Sequence, residues 1–130
     1  MTTKVILLPR MHRLCDGREL KTTVRSGTRF GCRNFVVSTL VHSSEDAGPA
    51  RFGFVVSKKV GNAVVRNLVK RRLREAAWLE LKDGFAGADV VVRALPAAAD
   101  AEWNHLVKDL SKALQRTAGR AKAPRQGDAP

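Results

Sequence analysis

The stretch from Arg51 to Glu75, RFGFVVSKKVGNAVVRNLVKRRLRE, constrains the fold of this 130-residue chain more than any other part of it. Its first residues alternate as in a half-buried β-strand, and the remainder repeats with the period of an α-helix. Between Asp46 and Glu75 there is no acidic residue, whereas the stretch carries eight lysines and arginines. The chain must therefore bury one side of a helix whose other side is densely cationic.

The helix is predicted to begin after Asn62, a suitable N-cap, and to run to about Leu81, before Asp83 and Gly84. At about 100° per residue, one arc is apolar and is expected to face the core: Val65, Leu68, Val69, Leu73, Ala76 and Leu79. The opposite arc, here called the basic face, consists of Arg66, Asn67, Lys70, Arg71 and Arg74. Arg72 is an exception, because it falls within the apolar arc and would have to extend its guanidinium outwards.

The positive charge of the chain is concentrated in its first part. The formal net charge is +12, yet Met1 to Arg74 hold 16 basic and 4 acidic residues, whereas Glu75 to Pro130 hold 8 of each. This asymmetry predicts one electropositive side that meets a polyanion, either nucleic acid or an anionic membrane surface. A merely solvated helix face is the alternative, but such faces usually contain glutamates, which the basic face lacks. Without a zinc-finger, zipper or helix-turn-helix pattern, RNA is the preferred interpretation.

The other predicted elements complete a mixed α and β pattern. A short first helix is predicted from the N-cap Asp16 to Gly27, and a final helix from Asp100 to about Thr117. Three stretches are predicted to be strands: residues 34–41, 51–57 and 88–93. The first two are expected to pair as an antiparallel hairpin, because turn-forming residues separate them.

These elements are assigned to one domain, residues 15–117. Residues 1–14 are predicted to be a basic arm, and residues 118–130 a disordered basic tail. Cys15 and Cys32 suit a reducing compartment better than a disulfide framework. The apolar run at residues 5–9 is too short for a signal peptide or a membrane span, so we expect a cytoplasmic protein without membrane contact.

Catalysis by the protein's own side chains is not expected. A metal-dependent nuclease needs clustered carboxylates, but the first 74 residues contain only two separated acidic pairs, at residues 16 and 19 and at residues 45 and 46. His12 and Cys15 resemble half of a zinc site, but the remaining candidates, Cys32 and His42, have irregular spacing. We therefore assign no catalytic residue and no metal ligand.

Several motifs together resemble the bacterial ribonuclease P protein family. The stretch SKKVGNAVVRN, followed by KRRLRE, is similar to the signature of that family. The stretch GTRFGCRNFVVSTL resembles the first strand of the family with its lead-in, and DVVVRALP resembles its last strand. The resemblance covers about residues 10 to 118.

The resemblance implies an α+β sandwich in which a four-stranded sheet packs with three helices in the order αβββαβα, with a left-handed βαβ crossover. It also implies a monomeric protein in a 1:1 ribonucleoprotein with ribonuclease P RNA, acting on precursor tRNA. In this family, hydrolysis that removes the 5′ leader is carried out by the RNA with Mg²⁺ held mainly by RNA. A structural RNA-binding protein of the ribosomal type remains the alternative from charge alone.

The resemblance further assigns two groups of site residues. The catalytic RNA would be bound by the loop and helix residues Lys58, Lys59, Asn62, Arg66, Asn67, Lys70, Arg71, Arg72 and Arg74. The leader of precursor tRNA would enter a cleft between the first helix and the sheet, formed by Leu20, Val24, Val36, Ser38 and Arg93.

Two departures from the family pattern affect these assignments. The third basic residue of the RNR triplet is Leu68 here, and Arg72, one turn further along, is a candidate replacement. Family members commonly have aromatic residues in the cleft, where this chain has Leu20, Val24 and Ser38. We therefore expect leader binding to be apolar and electrostatic rather than aromatic.

Overall fold

The computed structural model describes residues 8–43 and 48–119. Within these residues the helices and strands are, in chain order, α1 (Gly17–Ser26), β1 (Thr28–Gly31), β2 (Phe35–Val41), β3 (Arg51–Val55), α2 (Ala63–Lys82), β4 (Ala88–Ala94) and α3 (Trp103–Ala118). Two short 3₁₀ helices occupy Arg10–His12 and Pro96–Asp100. The order αβββαβα confirms the predicted α+β class, with four strands and three helices.

The four strands form one mixed sheet in the order β1-β2-β4-β3. β2 pairs antiparallel with both β1 and β4, whereas β3 pairs parallel with β4. The predicted hairpin of residues 34–41 with residues 51–57 is therefore wrong, because β4 lies between those two strands. β4 is buried on both faces, with Val90, Val91 and Val92 each at most 2% exposed, so it needs a neighbour on each edge.

Two connections determine this topology. β1 and β2 form the actual hairpin, joined by three residues, and their pairing places Phe30 opposite Val37. α2 carries the chain from β3 to the neighbouring parallel strand β4, as a parallel pair requires. The left hand of this crossover, which the resemblance implies, stays a prediction.

The main core lies between one face of the sheet and the helices α2 and α3. The sheet contributes alternate side chains that include Phe35, Val37 and Phe52, as expected for strands with one face in the core. From the helices come Val69, Leu73, Ala76, Leu106, Leu110 and Leu114.

Two residues of the predicted apolar arc of α2, Leu68 and Leu79, are not part of this core, and Leu68 is half-buried. Leu79 is 40% exposed, while the adjacent Glu80 is 4% exposed. The buried arc is centred on Val69, Leu73 and Ala76, and Leu79 projects roughly 90° away from that centre. The predicted core position of Leu79 was therefore wrong.

The packed domain begins earlier than the predicted boundary at residue 15. Leu8 and Leu14 are each 2% exposed, and the Leu14 amide donates to the Phe52 carbonyl at 2.9 Å. His12 Nδ1 lies 2.7 Å from the Ala50 carbonyl oxygen. Residues 8–14 are thus held along the outer edge of β3. Individual residues at irregular spacing make these contacts, so the segment has neither a helical nor a strand period. The rest of the predicted arm, residues 1–7, and residues 120–130 of the predicted tail lie outside the described residues.

The helix α1 packs on the other face of the sheet, where a charged cluster holds it. Arg51 on β3 and Asp89 on β4 are neighbours in the pairing register. Arg51 Nη2 donates to Asp89 Oδ2 and to Glu19 Oε2 of α1, both at 2.8 Å, and His42 Nε2 lies 2.9 Å from Asp89 Oδ1. Glu19, Arg51, Asp89 and His42 are called the charge cluster below.

The charge cluster shifts the pKa values of Asp89 and Arg51. Burial by itself would raise the pKa of Asp89, but the hydrogen bonds from Arg51 and His42 outweigh it and hold that pKa below its ordinary value. The hydrogen bonds to Asp89 and Glu19 raise the pKa of Arg51. At neutral pH the cluster therefore contains a charged arginine between two carboxylates.

Replacement of Asp89 by asparagine should lower the free energy of unfolding by about 2 kcal/mol at pH 7, since it leaves a partly buried guanidinium with one charged partner. Because folding lowers the pKa of Asp89, its contribution is complete above about pH 4, the ordinary range of aspartate, and is lost as the pH falls through the folded-state value. Urea unfolding should therefore show a difference between the two proteins that narrows below about pH 4.

Asp100→Asn, at an exposed carboxylate, is the control and should have little effect at either pH. A difference for Asp89→Asn that stays constant from pH 7 to pH 3 would contradict the assigned pKa direction.

Candidate nucleic-acid interface

The turn that leads from β3 into α2 exposes two of the predicted RNA-binding residues. Lys58 and Lys59 both lie on the surface, while Val60 is 7% exposed and anchors the turn. Asn62 is the N-cap of α2, and its Oδ1 accepts a hydrogen bond from the Val65 amide at 3.0 Å. Asn62 thus has a structural role at this turn, and the two lysines extend the positive charge beyond the helix.

The basic face of α2 flanks the buried arc of the helix, and its four cations are all half-buried. Arg66, Lys70 and Arg74 follow one line along the helix, since residues four apart are neighbours on its surface. Asn67 is exposed and Arg71 is half-buried beside them. Nε of Arg66 and Nε of Arg74 are inaccessible to solvent and have no hydrogen-bond partner among the described residues. Among residues 8–43 and 48–119, the salt bridges of Arg51 and His42 lie in the charge cluster and do not involve the basic face.

The fold brings Arg13 beside the basic face, which the sequence pattern did not reveal, and Arg13 Nε donates to the Leu8 carbonyl at 2.7 Å. Lys70 and Arg74 share a hollow of about 450 Å³ with Arg13, Leu14 and Leu20. Arg13 reaches this position because its backbone runs beside Phe52 at the edge of β3. Since this pairing joins residues 39 positions apart, periodicity along the chain carries no signal of it.

Arg72 is directed towards α3 and away from the basic face. Its Nη1 donates to the Ala101 carbonyl at 2.9 Å, just before α3 begins. The guanidinium therefore satisfies a backbone acceptor at the junction of the two helices. This contact favours a structural role for Arg72 over its predicted role as replacement for the charge missing at Leu68, and its RNA contact stays a prediction.

The predicted leader-cleft residues come together between α1 and the sheet. Val24, Val36, Ser38 and Arg93 line one groove of about 380 Å³. Leu20 lines an adjoining hollow that also borders Val24, so the two spaces share a wall of α1. Ser38 is 4% exposed and Val24 is 41% exposed. The floor of the cleft is therefore small and buried, while its α1 wall presents accessible Val24 together with Lys21 and Arg25.

The same cleft includes residues that the sequence pattern did not single out. Val55, Val91 and Leu95 extend its apolar lining, and Arg29 adds a second cation to Arg93. Only the pairing of β1 with β2 reveals Arg29, because that register places it opposite Ser38. Among the residues that the structure describes, those lining the cleft include no acidic side chain, so the cleft combines an apolar surface with positive charge.

Other classes of site find no support in the residues that the structure describes. Across residues 8–43 and 48–119, histidine, cysteine and carboxylate side chains do not gather in a group that would hold a metal ion. None of the helices in these ranges is sufficiently long and apolar to cross a membrane. Cys15 and Cys32 are free thiols, and burial raises the pKa of Cys32.

Comparison with known proteins gives one consistent family. A family model described as Ribonuclease P matches residues 8–118. The ribonuclease P protein component of Arthrobacter sp. (strain FB24) is 52% identical over 85% of this chain and 80% of its own length. That of Kocuria rhizophila is 50% identical over 83% of this chain and 93% of its own length.

Solved structures lead to the same family. The RNase P protein of Staphylococcus aureus has a TM-score of 0.71 at 28% identity, with 86% of this chain and 98% of the other covered. The RNase P protein from Thermotoga maritima has a TM-score of 0.70 at 25% identity, with 82% and 98% covered. The similarity therefore extends over nearly the whole domain in both sequence and fold.

Proposed function

Because this chain belongs to the ribonuclease P protein family, whose members bind RNA and serve as a subunit in 5′ maturation of tRNA, we propose that its two electropositive surfaces divide that task. The basic face of α2, with Lys58 and Lys59, binds the catalytic RNA. The cleft between α1 and the sheet binds the 5′ leader of precursor tRNA. The protein acts as a monomer in a 1:1 complex with ribonuclease P RNA in the cytoplasm.

The observation that carries this proposal is the separation of charge on α2. One side of the helix packs Val69 and Leu73 into the core, and the other presents cations without carboxylate partners in the described residues. Cations in such a row neutralise phosphates and release the counterions condensed on RNA, which is the main source of affinity for a polyanion. Arginine in particular forks onto phosphate oxygens. A surface of this kind suits a phosphate backbone better than a compact anion.

We propose that the hydrolytic step belongs to the RNA and to Mg²⁺ held mainly by RNA. The candidate surfaces of the protein are built from cations and apolar groups, which bind and position phosphates but do not activate water. By reducing repulsion between the phosphates of enzyme RNA and substrate RNA, the protein would lower the Mg²⁺ concentration that the reaction requires. Its contribution is therefore assembly and substrate positioning.

Reconstitution tests this division of labour. The chain is combined with bacterial ribonuclease P RNA and precursor tRNA, and leader cleavage is measured across a Mg²⁺ titration. We expect the protein to move the Mg²⁺ dependence severalfold lower, and we expect no cleavage by the protein without the RNA. Cleavage by the protein alone would contradict the assignment of chemistry to RNA, and no stimulation at low Mg²⁺ would contradict the proposed role in the reaction.

Adjacent arginines of α2 offer a matched test of the RNA-binding face. Arg71→Gln should reduce the slope of log affinity against log salt for the catalytic RNA by about one, because one phosphate contact is lost. Arg72→Gln should leave that slope unchanged and lower the free energy of unfolding by about 1 kcal/mol through loss of the hydrogen bond to Ala101.

Filter binding across a salt series and urea unfolding provide the two measurements. Equal slope changes for the two variants would show that Arg72 also binds phosphate, and would restore it as the replacement for the charge missing at Leu68.

The apolar wall of the cleft can be tested through leader length. Precursor tRNAs with leaders of increasing length should bind the reconstituted holoenzyme progressively more tightly. Leu20→Ala and Val24→Ala together should remove much of this gain, because the leader loses apolar contact area. Leu79→Ala, at an exposed apolar residue of α2, is the control. Unchanged leader dependence in the double variant would mean that the leader binds elsewhere.

A further inference from the structure

The position of α1 determines the shape of the cleft, because this helix forms one entire wall. α1 is a helix of ten residues in which Thr23 is the only buried residue. A helix this short has little stability in isolation, so its position depends on tertiary contacts. The contacts that hold α1 on the sheet therefore determine how far Leu20 and Val24 stand from the cleft floor.

The strongest polar contact of α1 with the sheet is a two-point ion pair. Arg51 Nη1 donates to Glu19 Oε1 at 3.2 Å, and Arg51 Nη2 donates to Glu19 Oε2 at 2.8 Å. Two parallel hydrogen bonds fix the orientation of both planar groups as well as their distance. Glu19 directly precedes Leu20 and lies five residues before Val24, so the pair orients the part of α1 that lines the cleft.

Arg51 is itself held rigidly from the opposite side. Its Nε and Nη2 donate to the two carboxylate oxygens of Asp89 at 2.9 and 2.8 Å. The Asp89 side chain is 9% exposed, the Arg51 side chain 30% and the Glu19 side chain 45%. The guanidinium is therefore built into the sheet, and Glu19 is the group through which α1 attaches to it.

An adjacent glycine controls how closely α1 approaches. A Cβ at Gly53 would overlap the Leu20 side chain and would lie 2.8 Å from the Leu14 carbonyl oxygen. The backbone of β3 thus approaches Leu20 more closely than any other residue type allows at this position. Gly53 sets the separation of α1 from β3, and the ion pair of Glu19 with Arg51 sets its orientation.

We infer that Glu19 and Arg51 are positioning residues for the 5′ leader, which hold α1 at the distance and orientation that the cleft requires without contacting the leader themselves. The inference rests on the proposed function of the cleft. It adds two residues that do not line the groove of Val24, Ser38 and Arg93. The alternatives are that the pair only stabilises the domain, or that Arg51 binds a phosphate directly.

Glu19→Ala in the reconstituted holoenzyme separates these possibilities. If the pair positions α1, the gain in affinity that a long leader provides should fall by roughly three- to tenfold, as expected for misplacement of a binding wall. Affinity for the catalytic RNA and for tRNA without a leader should be maintained. Glu19→Gln, which keeps one acceptor for Arg51, should lose less. Glu102→Ala is the matched control, since it removes an exposed carboxylate remote from the cleft.

A second variant, Gly53→Ala, changes the position of the same α1 wall and leaves both residues of the ion pair in place. Gly53→Ala should displace Leu20 and shift the Leu14 carbonyl, and it should also reduce leader-dependent affinity. If Glu19→Ala lowers affinity for all RNAs in parallel with stability, the pair is only structural. If Glu19→Ala raises the affinity for leader-bearing substrate more than Glu102→Ala does, Arg51 binds phosphate directly. Either result overturns the inference, as does an unchanged leader gain.

These results also distinguish failure of the inference from failure of the proposed function. Leader-dependent binding by the unaltered protein supports the cleft whatever Glu19→Ala shows. If the unaltered holoenzyme has no leader dependence, both the cleft and the positioning role are wrong.

Discussion

Burial of β4 on both faces is the constraint on which the rest of the structure depends. Its three central valines are each at most 2% exposed, with helices over both faces and strands paired along both edges. The parallel pairing with β3 requires a long crossover, and α2 provides it. Because that crossover packs its apolar arc on the sheet, the basic face lies outside the main core.

The cations of this chain serve different purposes, and the groups that neighbour each cation distinguish these purposes. Arg51 is enclosed by Glu19 and Asp89 and joins α1 to the sheet. The cations of the basic face have no such partners in the described residues, so their charge remains available for phosphate. Arg72 shows a third case, in which the guanidinium donates to the backbone carbonyl of Ala101, just before α3. Net charge alone does not distinguish a structural arginine from a binding arginine.

The two candidate surfaces differ in how many of their residues could be predicted from the sequence. The basic face was predictable residue by residue, because its members lie within three turns of one helix and share one periodic arc. The cleft residues Leu20, Val24, Val36, Ser38 and Arg93 were proposed through family resemblance, and the fold places them around adjoining hollows. Arg29 and Arg13 were missed, since strand pairing alone brings them to these surfaces. The hairpin prediction failed because alternation along a strand does not specify which strand lies beside it.

The sequence by itself determined the three helices, three of the four strands and the polarity of α2, because helical and strand periods and N-cap residues are local properties of the chain. The full order αβββαβα, with β1 as the fourth strand, came from the family resemblance. The sequence also carried the motifs by which the family is recognised. Only the tertiary structure decided that β4 separates β2 from β3, that residues 8–14 belong to the domain, and that Glu19 holds α1 through Arg51. These outcomes depend on burial and on pairing between distant residues, and such contacts exist only once the sheet has formed.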